Sequence, residues 1–239
     1  MKQKLLLLVA LLVAATTAWA DVEINETNFP DANFRAYLKS QTYGSDGVIT
    51  DAEIAGVTDI SVYYRNISDL KGIEYFTALT SLGCGGNQLT ALDVSQNSAL
   101  TSLLCYNNQL STLDVSKNTA LTILLCYCNQ IKDDGMDVFV ASLPTVTSEV
   151  MRVIYNEGEQ NVMTTTQVAT AKAKGWTPYY YDGSDWLEYA GSEPSAISIV
   201  TSSQTMADSI WFSLDGRRIS GRPSQKGIYI IGGKKVLVK

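Results

Sequence analysis

Apolar and polar positions repeat through the middle of the chain with a period of 21 residues. Segments 79–99 (LTSLGCGGNQLTALDVSQNSA), 100–120 (LTSLLCYNNQLSTLDVSKNTA) and 121–131 (LTILLCYCNQI) fit one template, Leu-x-x-Leu-x-Cys-x-x-Asn-x-Leu. It is filled by Leu79, Leu82, Cys84, Asn87 and Leu89, by Leu100, Leu103, Cys105, Asn108 and Leu110, and by Leu121, Leu124, Cys126, Asn129 and Ile131. A weaker copy precedes them at Val57, Ile60, Val62, Arg65 and Ile67. Leu82 and Cys84 lie two apart, so both point to one side of a strand. Parallel strands stack about 4.8 Å apart, which predicts a buried column of Cys84, Cys105 and Cys126. Asn87, Asn108 and Asn129 form a second column, whose amides can bond the turn backbone of neighbouring coils. Leu92, Val94 and Ala99, then Leu113, Val115 and Ala120, are expected on the opposite wall.

The flanks read differently. Pro30 and Asp31 suit a helix start before the apolar face Phe34, Tyr37 and Leu38, and Thr50 to Glu53 spells a capping box. Lys132-Asp133-Asp134-Gly135 precedes Met136, Val138, Phe139, Val140 and Leu143, predicting an amphipathic helix with the aspartates as N-cap and first-turn charge. Residues 149–155 read as a strand, 164–175 as a helix stopped by Gly175, and 176–189 as two strands around an Asp-Gly turn. This strand, helix and hairpin would continue the sheet and close its far end. The aromatics Trp176, Tyr179, Tyr180, Tyr181, Trp186 and Tyr189 suit either stacking on sugar rings or packing in the closing layer. After Ser192-Glu193-Pro194-Ser195, the tail alternates like short strands in SIWFSL, KGIYII and KKVLVK.

The 21-residue template resembles the leucine-rich repeat family in a short bacterial form, over residues 57–131. That implies an α/β fold: a solenoid with a parallel β-sheet, a helical N-terminal cap and a small all-β C-terminal module. The expected division is a signal peptide at 1–20, a cap at 21–56, repeats at 57–131, a closing cap at 132–191, a linker at 192–195 and a β-rich tail at 196–239. Thr42 to Glu53 looks like a degenerate EF-hand loop with only Asp46 and Glu53 as carboxylate ligands, so no cofactor is expected and calcium only weakly. Similar cap-plus-repeat layouts occur in surface proteins of gut bacteria. The tail resembles the sorting domain of the type IX secretion system of Bacteroidetes, through Ser213-Leu214-Asp215-Gly216-Arg217-Arg218, Lys226-Gly227-Ile228-Tyr229-Ile230 and the closing Lys-Val-Leu-Val-Lys. Such tails direct export across the outer membrane and are often removed. A plain β module packed on the solenoid is the other reading.

Charge and cysteine usage narrow the function. Lys2 and Lys4 precede the apolar run Leu5 to Ala15, and Ala18-Trp19-Ala20 fits a cleavage site. Removal of those lysines takes the net charge from −6 to −8, which disfavours nucleic acid. The absence of histidine excludes Ser-His and Cys-His pairs and His-based zinc sites. The cysteines read as packing residues. Cys128 reads as an incidental substitution or a partly exposed thiol.

Outward positions on the predicted strands include Ser61, Gly83, Leu104 and Leu125, with Tyr63, Gly85, Tyr106 and Tyr127 two further on. Tyr63, Leu104, Tyr106, Leu125 and Tyr127 are therefore the candidate ligand site, unless the tail or hairpin covers them. The reading is a secreted adhesin-like protein at the outer-membrane surface or outside the cell, without catalytic residues and not integral to the membrane. Its partners would be a protein or polysaccharide ligand and, through the tail, export machinery. A spacer without a ligand, or a carboxylate-dependent glycan-acting enzyme, are the alternatives.

Overall fold

A computed structural model of the 239-residue chain describes residues 21–155, 159–192, 198–200, 211–213, 218–219, 223, 225–231 and 234–238. The expected signal peptide and most of the linker lie outside the described residues, as do the turns at Asp215-Gly216 and Gly232-Gly233.

The cap is not wholly helical. Strand β1 (Val22–Glu23) pairs antiparallel with β2 (Val48–Ile49), and helix α1 (Ala32–Ser40) lies between them in sequence. Phe34, Tyr37 and Leu38 are the buried face of α1. Asp31 caps it by accepting from the Asn33 and Phe34 amides with one oxygen. Its other oxygen accepts from the Ser68 amide and hydroxyl, tying the cap to the first coil. Burial works to raise the Asp31 pKa, but the bonds from Ser68, Phe34 and Asn33 together outweigh it and hold it low. Helix α2 (Asp51–Gly56) starts with the expected capping box between Thr50 and Glu53.

The repeats build strands β3 (Asp59–Ser61), β4 (Ser81–Gly83), β5 (Ser102–Leu104) and β6 (Ile123–Leu125), one per coil, all parallel. Ile60, Leu82, Leu103 and Leu124 lie in register, each fully buried. Cys84, Cys105 and Cys126 are likewise fully buried and unbridged. The asparagine column behaves as its spacing predicts: Asn108 accepts from the Leu89 amide and donates to the Cys84 and Cys105 carbonyls, all at 3.0 Å. Buried backbone groups that the short strands leave unpaired thereby find partners.

The opposite wall holds Val94, Leu113 and Val115 buried as expected, with Leu92 partly buried against the core, but departs from expectation at its alanines. Ala99 is half-buried and Ala120 exposed. Asn97 and Asn118 are fully buried instead, in a second ladder. Asn97 donates to the Ile73 and Phe76 carbonyls, and Asn118 to those of Val94 and Asn97.

Helix α3 (Asp133–Ser142) follows, with Lys132 at its N-cap and no side-chain capping bond. Asp133 and Asp134 are therefore first-turn charges next to the positive helix end, not caps. Strand β7 (Glu149–Ile154), helix α4 (Thr165–Ala173), strand β8 (Trp176–Tyr181) and strand β9 (Trp186–Glu188) complete a seven-stranded sheet in sequence order from β3. All its neighbours are parallel except the closing β8–β9 pair. Gly175 ends α4 at φ +87°, where an added Cβ would lie 2.0 Å from the Val146 carbonyl oxygen.

The tail forms strands β10 (Ser198–Val200), β11 (Trp211–Phe212), β12 (Arg218–Ile219), β13 (Gly227–Ile231) and β14 (Lys234–Val238). They make a separate sheet of order β10-β14-β13-β11-β12, antiparallel except for β10 with β14. Trp211 and Val238 are its buried core, with Ile219 and Tyr229 against them.

Candidate functional site

Side chains alternate across a strand, so the residues flanking each buried leucine face away from the core. The register places Gly83, Leu104, Leu125, Arg152 and Tyr179 in one outward row along the sheet. Leu104 and Leu125 are half-buried neighbours in that row, and Ile123 and Val150 are 48% and 46% exposed beside it.

Just past the strand ends, the predicted Tyr63, Tyr106 and Tyr127 come together as a stacked ladder. Ring centroids are 6.0 Å apart for Tyr63–Tyr106 and 4.9 Å for Tyr106–Tyr127, at interplanar angles of 24° and 9°. The ladder continues through Tyr155, 5.3 Å from Tyr127, and Tyr181, 4.9 Å from Tyr155. Coil two carries Gly85 where its neighbours carry tyrosine, so Tyr63 and Tyr106 lie two coils apart, about 10 Å along the sheet. Their rings close to 6.0 Å by leaning over the glycines. A Cβ at Gly83 would fall 2.3 Å from the Tyr63 ring, and one at Gly85 2.7 Å from the Tyr106 ring. The glycine-rich coil is the saddle that lets the two rungs meet.

Strand alignment alone did not reveal Tyr155, Arg152 or Trp186 as part of this face. Between Arg152 and Ile154 the β7–β8 register shifts by a bulge, which turns both Val153 and Ile154 inward and puts Tyr155 on the ladder. Trp186, at the start of β9, tilts over Tyr127, Tyr155 and Tyr181 at 5.2, 6.1 and 5.5 Å. The Arg152 guanidinium sits 4.7 Å from the Trp186 ring centre. The closing hairpin thus covers part of the ladder near Tyr127, while Tyr63, Leu104 and Tyr106 lie in earlier coils. Burial raises the pKa of Tyr63 and Tyr106, and takes Tyr127 up to about 12. The phenols stay protonated near neutral pH and offer hydrogen bonds, not charge.

Behind the ladder, Glu159 completes the turn layer. Elsewhere the turn amide of one coil donates to a carbonyl of the next, as Asn107 does to Tyr127. At the last repeat coil the Glu159 carboxylate takes that place, accepting from the Cys128 and Tyr155 amides. Cys128 occupies the same left-handed turn position as Asn107 and Gly86, with φ +53°. Its thiol is half-buried, and burial pushes its pKa up to about 11. Asn161 continues the asparagine column, donating to the Cys126 and Val153 carbonyls.

The weak metal candidates are engaged elsewhere. Asp46 accepts from the Val48 amide and the Glu53 carboxylate accepts from Thr50. Among the described residues no group of three or more potential ligands is assembled.

One strand per coil, leucines in register and an asparagine turn ladder together make a solenoid of stacked parallel coils, the architecture that the leucine-rich-repeat resemblance implies. No family model matches the chain. Internalin J from Listeria monocytogenes serotype 4b is 39% identical over 72 residues, covering 29% of this chain and 8% of that protein. The functional domain of InlJ from Listeria monocytogenes, which includes a cysteine ladder, aligns at 35% identity with a TM-score of 0.43, over 48% of this chain and 26% of that one. An internalin, inlF, from the same species aligns at 24% identity with a TM-score of 0.48, over 66% and 44% of the two chains. The chain thus spans a small fraction of Internalin J and under half of either aligned structure. No described helix is long and apolar enough to cross a membrane.

Proposed function

We propose that this is a non-catalytic, secreted cell-surface protein that binds a protein ligand through the outward face of its repeat sheet. The observation that carries the reading is the tyrosine ladder beside Leu104 and Leu125. Tyrosine supplies large rigid contact area at low entropic cost and is common at interface anchors. The stacking geometry favours protein over glycan. Tyr106 and Tyr127 cover each other's faces at 4.9 Å, so they present edges and hydroxyls, whereas a sugar ring packs on an open aromatic face. The sequence likeness to Internalin J over 72 residues fits an interaction role.

Secretion rests on the leader sequence, and attachment at the outer surface on the type IX-like tail. The division into cap, repeats, closing cap, linker and tail is part of the same proposal, with an EF-hand-like cap that serves packing. The test is binding of the full chain to an array of host matrix proteins and polysaccharides, beside a variant carrying Leu104→Asp, Tyr106→Ala and Tyr127→Ala. Protein binding that the folded variant loses supports the reading. Binding to polysaccharides alone shifts it to a glycan adhesin. Equal binding by the variant removes this face as the site.

A further inference from the structure

We propose that a cavity at the C-terminal end of the solenoid sheet, walled by Tyr180 and Tyr189 and flanked by Glu159 and Asp182, binds a small organic cation of the trimethylammonium type. The cavity is about 700 Å³, within the range of small-molecule sites. The Tyr180 and Tyr189 ring centroids lie 5.9 Å apart at 61°, making an aromatic corner. Ile154 and Val162 add apolar wall, and no lysine or arginine is among the described lining residues. A cation over aromatic faces is attracted by the ring quadrupoles, most strongly where water is displaced.

The carboxylates decide which cation. Glu159 already accepts from the Cys128 and Tyr155 amides. Asp182 already accepts from the Ser184 and Asp185 amides and the Ser184 hydroxyl. At pH 8 both supply negative charge; Glu159 is engaged through both oxygens and Asp182 through Oδ1, which leaves Asp182 Oδ2, in the exposed turn, as the one open acceptor. A primary amine or a sugar needs free acceptors in defined directions. A trimethylammonium group donates no N–H bond and needs only aromatic faces and diffuse negative charge. The site is separate from the proposed ligand face; among the described residues the two share Tyr181, which lines the cavity and ends the ladder, and they touch where Glu159 accepts from the Tyr155 amide.

The experiment is calorimetric titration of the full chain with choline chloride at pH 8, beside its uncharged isostere 3,3-dimethylbutan-1-ol and ethanolamine. Choline is expected to bind, with both comparators and the Tyr189→Ala variant about tenfold weaker or more. Tyr189→Phe, which keeps the ring, should retain binding. If Tyr189→Ala fails to fold by circular dichroism, Asp182→Asn in the exposed turn decides: a severalfold loss supports the site and unchanged affinity overturns it. No choline binding, equal binding of the isostere, or undiminished binding by folded Tyr189→Ala would each overturn the proposal.

Discussion

Asn129 donates from one amide nitrogen to the Cys105 carbonyl of the preceding coil, at 3.1 Å, and to the Cys126 carbonyl of its own, at 2.9 Å. Its oxygen accepts from the Leu110 amide. A single side chain thus joins two coils at buried backbone groups. Asn108 does the same one coil earlier, so Asn108→Ala orphans the buried Leu89 amide and removes one of the two amide donors from each of the Cys84 and Cys105 carbonyls. An unsatisfied buried group costs about 1–3 kcal/mol, so the variant should lose about 1–3 kcal/mol in urea unfolding. Cys105→Ala, in the same coil, removes one sulfur from an apolar column and should lose less. The reverse ranking would show that packing, not the amide ladder, holds the coils together.

The glycine saddle makes a second prediction. Gly85→Ala places a methyl against the Tyr106 ring and forces the leaning pair apart. Near-ultraviolet circular dichroism from the stacked tyrosines should fall, with a stability loss of about 1–3 kcal/mol from overpacking. An unchanged tyrosine spectrum would mean the rings do not stack in solution.

The repeat block was legible because its core positions recur at one spacing and parallel coils turn that spacing into columns. Legibility stopped where a physical device broke the period. The bulge at Val153 moves the rung from the position that strand alternation predicts to Tyr155. Glu159 replaces a backbone carbonyl, which no repeat template encodes. Asn97 and Asn118 are buried because carbonyls of the preceding coils receive their amides, yet asparagine in a polar stretch reads as surface. In the face itself, Tyr63, Tyr106 and Tyr127 followed from alternation. Trp186 did not, because its position depends on where the closing hairpin folds.

The thiols give a third prediction. Burial holds the Cys84 and Cys126 pKa values well above normal and takes Cys105 up to about 12 and Cys128 up to about 11. The thiolate is the reactive form. An aromatic disulfide reagent at pH 7.5 should therefore titrate at most one thiol in the folded chain, slowly, and all four after unfolding. Fast reaction of more than one in the folded chain would contradict the buried column.

Glu159 makes stability depend on pH in the direction opposite to most carboxylates. Burial raises its pKa from 4.5 to about 7, against the opposing pull of the Tyr155, Cys128 and Asn129 amides. The Cys126 and Cys128 thiols face it and are neutral in this range, and Asp182, which shares its cavity, is ionised throughout. Between about pH 4.5 and 7 the folded chain holds a proton at Glu159 that the unfolded chain has released. Its contribution is therefore full below about pH 4.5 and is lost as pH rises through about 7. Asp31 works the other way: its lowered pKa gives stability that is present above 3.8 and lost in stronger acid. Subtracting the profile of Glu159→Gln from that of the wild type isolates the first effect, since the variant retains Asp31. The difference should fall by roughly 1–3 kcal/mol from pH 5 to 8, as one pKa unit corresponds to about 1.4 kcal/mol. A flat or rising difference would show that the backbone amides, not burial, set the charge of Glu159, and that the turn layer closes on a carboxylate ionised throughout.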